Sequence, residues 1–301
     1  MTERATWTQF KRHKGALIGV GVLGFVTLGV LLGDLLWGLD PQKLDIRNKN
    51  LRPIYTAIWD SAAAVQWAHP LGTDHLGRDA LANMIAGGRT SLAVGWVAMS
   101  LSLLIGTVIG VLAGYFRRLD GLLMRFTDLV LSLPILPLLL VAVTLFRDQL
   151  RSTFGPEQGM FILIVGVVGL TSWMQTARIV RSEVLALKER EFILAAHSIG
   201  TTPGAIIRRH LLPNVISPIM VSATLGLATA IITESALSFL GVGFPPDYPT
   251  WGKMLADAVP RMDQYPERVI LPGLAISLTV LSVNYIGDGL RDALDPRIRR
   301  R

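Results

Sequence analysis

The chain has 301 residues, of which 51% are hydrophobic and 17% charged, far more apolar surface than one soluble core consumes, so it reads as an integral membrane protein. It contains no cysteine, which excludes disulfides and cysteine-ligated metal sites. The net charge of +7 raises nucleic acid as a partner, but Lys and Arg are dispersed in the gaps between apolar runs instead of forming one stripe, so no nucleic-acid partner is expected.

Taken in order, the first fifteen residues carry Arg4, Lys11, Arg12 and Lys14, and Ala16 to Trp37 then runs apolar for the length a bilayer requires. This run exceeds a signal-peptide core and is followed by no clear small-x-small site, so it reads as a retained first span. Asp40 to Thr90 is the longest polar interval and should be external. In it, His69, Asp74, His75 and Asp79 invite a metal reading, but their spacing fits no rigid ligand face, and turn and cap roles for Asp74 and Asp79 are expected instead.

Further spans are predicted at Ser91 to Tyr115, Leu129 to Phe146, Met160 to Val180, Val215 to Gly241 and Val269 to Gly287. The third holds Pro134 and Pro137, which read as a kink tolerated inside a membrane helix. The predicted fold is all-α, with six transmembrane helices. Residues 1–90 are expected to supply a cytoplasmic tail, the first span and the external loop, and 91–301 a five-helix core. Eighteen of the 29 Lys and Arg fall on the side shared with the N-terminus and eleven on the other, which predicts that both ends are cytoplasmic. Glu234 is an acid deep in the fifth span, a pathway or gate candidate by its cost there, with a structural hydrogen bond to a neighbouring helix as the alternative. Gly226, Ala228 and Ala230 on the same span suit close helix packing.

Between the fourth and fifth spans lies a stretch too polar to cross a membrane and too apolar for a solvated loop. Phe192, Ala195, Ala196 and Ile199 recur at helical spacing, and Ile206, Ile207, Leu211 and Leu212 form a second set. Gly200 is the expected helix stop, and Thr202 followed by Pro203 reads as a cap and the first residue of a new helix. Two short helices bent at Gly200 are therefore predicted at the membrane surface, with an apolar face offered to something other than lipid.

At Ala195, Ala196, Gly200, Leu212 and Pro213 this stretch resembles the cytoplasmic signature of permease subunits of binding-protein-dependent ABC importers, with Leu194 in place of its Glu and His210 in place of its Ile. The segment from His69 to Gly95 is similar to the second permease of the dipeptide, oligopeptide and nickel branch. Matching positions there are Gly72, Thr73, Asp74, Gly77, Arg78, Asp79, Gly87, Arg89, Ser91 and Leu92, while Ala82 and Asn83 replace a common Ser-Arg. Gly243 to Ala258 and Leu271 to Pro296 resemble the same branch.

The resemblance implies an ABC importer type I permease fold in a prokaryotic inner membrane, with coupling helices at about 191–213 that dock on an ATPase subunit. The implied coupling residues are Phe192, Ala195, Ala196, Ile199, Gly200 and Pro203. It also implies a homologous second permease, two ATPase subunits that hold ATP and Mg2+, an external solute-binding protein, and a lipid surround. The implied substrate is a dipeptide or oligopeptide, with nickel or a glutathione-like peptide as alternatives within the branch. The chain carries no P-loop, since Gly252-Lys253 is followed by Met254, and neither G-x-S-x-G nor H-E-x-x-H, so no catalytic activity of its own is expected. A secondary transporter using Glu234 is the remaining alternative, against which stands the lack of an internal repeat.

Overall fold

Of the six apolar runs of bilayer length, four form a single helix each and two are interrupted. The computed structural model describes residues 3–58 and 64–294; residues 1–2, 59–63 and 295–301 lie outside the described residues. The helices are α1 (Glu3–Arg12), α2 (Lys14–Trp37), α3 (Ala80–Tyr115), α4 (Arg117–Ser132), α5 (Ile135–Phe154), α6 (Pro156–Leu170), α7 (Trp173–Lys188), α8 (Glu191–Ser198), α9 (Pro203–Ile206), α10 (Leu212–Phe239), α11 (Trp251–Ala258) and α12 (Glu267–Leu294). Among the described residues the one β-type contact is an isolated bridge between Thr73 and Asp79.

Five segments are long and apolar enough to cross a membrane, α2, α3, α6–α7, α9–α10 and α12, and the bent pair α4–α5 makes a sixth. The expected spans are all present, but the third is not the kinked helix that Pro134 and Pro137 predict. The chain turns by 88° between α4 and α5. Pro134 precedes α5 and Pro137 lies in its first turn, where a missing N–H costs nothing because those groups have no intrahelical acceptor. The interval between the second and third expected spans, with Arg117, Arg118 and Arg125, lies in α4, an amphipathic helix. Its Asp120 receives two bonds from the Arg181 guanidinium of α7, at 2.5 and 2.7 Å. Asp128 similarly pairs with Arg178 at 2.5 Å. The fourth span is interrupted too, at Thr171 and Ser172 between α6 and α7.

α3 is the central helix. At about 1.5 Å per residue its 36 residues run about 54 Å. It is continuous across residues 90 and 91, so the expected division between an N-terminal region and a core falls inside one helix. Gly106, Gly110 and Gly114, one per turn, let α3 approach α7: a methyl group at Gly106 would sit 2.7 Å from the Trp173 carbonyl oxygen, and one at Gly110 2.6 Å from that of Ala177. This is the tight helix contact, and it lies elsewhere than at Gly226, whose nearest neighbour is Met99 Cγ at 3.5 Å. Ala228 and Ala230 are buried as expected.

α2 stands at the periphery with Phe25, Leu28, Leu31, Leu35 and Leu36 bare, its other side against α12 and α3. The segment before α3 caps one end of the bundle: Thr73 N–H donates to the Leu51 carbonyl at 3.1 Å, and Leu51 N–H donates to Thr73 Oγ1 at 3.0 Å. Asn48 Nδ2 donates to Asp45 at 2.8 Å, and this bond holds the Asp45 carboxyl below its ordinary value.

Candidate functional site

The two interrupted spans break towards the same place. Leu133 and Ile135 at the α4–α5 turn, and Thr171, Ser172 and Gln175 at the α6–α7 turn, line one groove of about 1110 Å³ including its open side. Irregular backbone at membrane depth is tolerated where it lines a cavity or is buried in protein, and here both breaks border the same cavity. The third wall is α10, whose Ser222, Gly226, Thr229 and Thr233 recur at i, i+4, i+7 and i+11 and so form one stripe. The groove lining contains no charged side chain.

Its hydroxyls face a common constraint: in an apolar environment each must donate somewhere. Thr229 Oγ1 donates to the Leu225 carbonyl at 2.9 Å, Thr233 Oγ1 to that of Thr229 at 2.8 Å, and Ser172 Oγ to that of Val168 at 2.7 Å. Once these protons are committed, each oxygen keeps lone pairs free, so the wall offers acceptors, with the Gln175 amide adding donors. Ser222 Oγ is buried without a partner. Sequence reasoning missed this stripe because Thr and Ser barely perturb the hydropathy of an apolar run.

Beyond the start of α10 lies the bent pair. α8 ends with Gly200 in the left-handed region at φ +78, where Thr201 N–H reaches back to the Ala196 carbonyl at 3.1 Å and satisfies an orphaned acceptor. Thr202 and Pro203 open α9 as expected, although the Thr202 side chain makes no capping bond. One turn of π-helix, Ile207–Leu211, then joins α9 to α10.

The four apolar residues expected to form a single docking face divide. Ala196 is only 6% exposed and, with Ile193, packs on Val111 and Tyr115 of α3, Val180 and Val184 of α7, and Ile206, Leu211 and Val215. Phe192, Ala195 and Ile199 point outward together with Leu194, and Ile199 is 83% exposed. The correction has a simple cause: an eight-residue helix lying on a bundle must give one of its sides to that bundle, and Ile193 and Ala196 are the side given. Lys188 Nζ donates to the Tyr115 carbonyl at 2.9 Å, and the Tyr115 ring stacks on His197 at 6.2 Å. α8 thus packs directly against the ends of α3, α7 and α10.

Glu234 is not among the residues lining the groove, and it makes the hydrogen bond to a neighbouring helix that was the alternative to a pathway role. It is wholly buried, accepting from Ser91 Oγ of α3 at 2.9 Å and from Ser238 Oγ at 2.7 Å. Ser91 Oγ in turn accepts from Trp251 N–H of α11 at 3.3 Å.

Asp74 and Asp79 take the turn and cap roles expected of them. Asp79 caps α3 through Ala82 N–H at 2.7 Å and also binds His69 Nδ1 at 2.8 Å and Trp37 Nε1 at 3.0 Å. Asp74 accepts from the Leu76 and Arg78 amides at 2.7 and 2.8 Å.

Known proteins resemble this arrangement in sequence and in fold. Residues 106–300 match the family described as binding-protein-dependent transport system inner membrane component, and residues 4–53 the N-terminal TM domain of oligopeptide transport permease C. The dipeptide transport system permease protein DppC of Alkalihalophilus pseudofirmus is 36% identical over 297 residues, 98% of this chain and 90% of that protein. The oligopeptide transport system permease protein OppC of Bacillus subtilis is 32% identical over 293 residues, 97% of this chain and 88% of that protein. Among solved structures, an inward-facing form of the MetNI methionine ABC transporter has a chain similar in fold, with a TM-score of 0.57 and 18% identity over 71% of this chain and 97% of that one. With a membrane bundle of this fold and matches along nearly its whole length, the chain belongs to the binding-protein-dependent transport system inner membrane components, the permeases of ABC importers.

Proposed function

We propose that this permease forms half of the path by which short peptides enter the cell. The observation that carries the reading is the convergence of two broken spans and a hydroxyl stripe of α10 on one uncharged groove, with the bent pair beside the start of the same helix. Such a wall bonds to peptide amides without trapping a charged side chain, as a pathway that must release its cargo requires. The names of the similar DppC and OppC proteins support peptide as the cargo.

In this reading the groove is completed by a homologous second permease. Phe192, Ala195 and Ile199 dock on an ATPase subunit, Gly200 and Pro203 set the angle of the bend, and Ala196 ties the docked helix to the bundle. The partner ATPases bind ATP and Mg2+, an external binding protein delivers the peptide, and this chain catalyses no reaction itself. Both termini are cytoplasmic, following the excess of Lys and Arg on their side.

The test is uptake of a radiolabelled dipeptide into proteoliposomes holding the two permeases, with and without the ATPases and binding protein. Uptake should require ATP and both added components. Uptake by the permeases alone, driven by an ion gradient, would overturn the reading.

A further inference from the structure

A second cleft lies at the end of the bundle remote from the bent pair. It is formed where the segment before α3 and the start of α3 meet α11 and the start of α12, and it measures about 780 Å³ including its open mouth. α3 connects the two ends: Ala80 borders this cleft, whereas Tyr115 packs against α8.

The lining divides by chemistry. Leu71, Met84, Met254 and Leu271 give it an apolar floor, and Arg78, Lys253, Arg261 and Arg268 give it a cationic wall. Two acids are present, both already engaged. Asp74 accepts from backbone amides of its own turn, and Asp257 pairs with Lys253 at 3.2 Å. Arg268 is held in place by Asn50 Oδ1 at 3.0 Å and by the Tyr265 ring, 4.0 Å from its guanidinium carbon. Arg78 is fixed by Asp247 at 2.9 Å. Arg78 Nε and Arg268 Nη2 remain buried without partners. Arg261 is exposed and forms no ion pair among the described residues.

Arg78 and Lys253 are paired with acids, whereas Arg261 and Arg268 form no ion pair among the described residues; beside an apolar floor these two select an anion with an apolar body. We infer that this cleft binds the C-terminal residue of a peptide, its carboxylate on the Arg261 and Arg268 guanidinium groups and its side chain on Met254 and Leu271. The chemistry selected is an apolar carboxylate; that it belongs to a peptide rests on the function proposed above. Guanidinium and carboxylate can pair through two parallel hydrogen bonds, which fixes the peptide's end.

The experiment uses the complete transporter in nanodiscs without its binding protein, and N-acetyl-photoleucine as the probe. Crosslinks should map to α11 and the start of α12. N-acetyl-leucine should compete for them about tenfold better than N-acetyl-leucinamide, the loss expected when a charge-assisted contact becomes neutral. The variant Arg261→Gln/Arg268→Gln should lose most of the crosslinking and the preference for carboxylate, and Arg261→Lys should keep part of both. Equal competition by the amide, or unchanged labelling in the double variant, overturns the inference. So does a double variant that keeps its carboxylate preference and loses only binding-protein docking, since the cleft would then be a docking surface. Dipeptide uptake, measured on the same preparations, separates the two readings. Carboxylate-selective labelling without dipeptide uptake contradicts the peptide reading and leaves the cleft, whereas ATP-driven uptake without carboxylate preference removes the cleft alone.

Discussion

The Ser91 hydroxyl of α3 donates to the Glu234 carboxyl of α10 across 2.9 Å, joining two spans 143 positions apart in sequence. The same Ser91 oxygen accepts from Trp251 N–H, so the Glu234–Ser91 pair links α11 to α3 and α10. Glu234→Gln keeps an acceptor for one hydroxyl and should leave uptake per folded transporter near wild type. Glu234→Leu orphans the Ser91 and Ser238 hydroxyls at a cost of about 2–4 kcal/mol in total, and should lower the melting temperature of the complex and its yield. Thermal unfolding in detergent alongside uptake distinguishes these outcomes; a Gln variant that folds fully and does not transport would make Glu234 a pathway residue.

Ala196 and Ile199 are three positions apart and should fail in different ways. Ala196→Arg forces a charge among Val111, Val180 and Ile193 and should reduce the amount of folded permease. Ile199→Arg changes an exposed side chain, so the permease should fold normally and lose its ATPase partner. Co-purification of the ATPase, normalised to folded permease by size-exclusion chromatography, checks both.

At Gly200 the space around a new methyl group is open, so backbone conformation alone limits substitution. A φ of +78 costs an ordinary residue about 1–2 kcal/mol, and more for a β-branched one. Gly200→Val should therefore still retain the ATPase but transport less peptide per ATP hydrolysed, because α9 is re-aimed. Gly200→Asn should be mild, since Asn tolerates this conformation. The ratio of uptake to hydrolysis in proteoliposomes is the readout.

The natural chain has no cysteine, which makes single-cysteine labelling of its topology direct. Lys43→Cys should react with a membrane-impermeant maleimide in intact cells, and Arg209→Cys only after permeabilisation. The reverse pattern would invert the proposed orientation.

The spans and the bend at Gly200 were legible because bilayer-length apolar runs and a Gly-Thr-Thr-Pro break are strong local signals. Three features were not. The hydropathy of α4 is that of a loop, since its Arg and Asp residues pair with α7 only in three dimensions. Pro134 and Pro137 sit at a helix start that composition does not distinguish from a helix interior. The periodicity of α8 marks apolar positions without saying which of them the bundle takes, and so Ala196 was grouped with Ile199. Glu234 was recognisable as costly, but its hydroxyl partners lie on α3 and one turn further along α10.

The central claim is that the groove beside α10 carries the cargo and that ATP hydrolysis at the far side of α8 drives it. Thr229→Cys places the chain's only thiol in that groove. In proteoliposomes holding the complete transporter with cysteine-free partner subunits, the measurement is dipeptide uptake and ATP hydrolysis before and after stoichiometric modification of this thiol by a bulky maleimide. The account predicts that uptake falls to background while hydrolysis continues. Undiminished uptake with the thiol fully modified would contradict it.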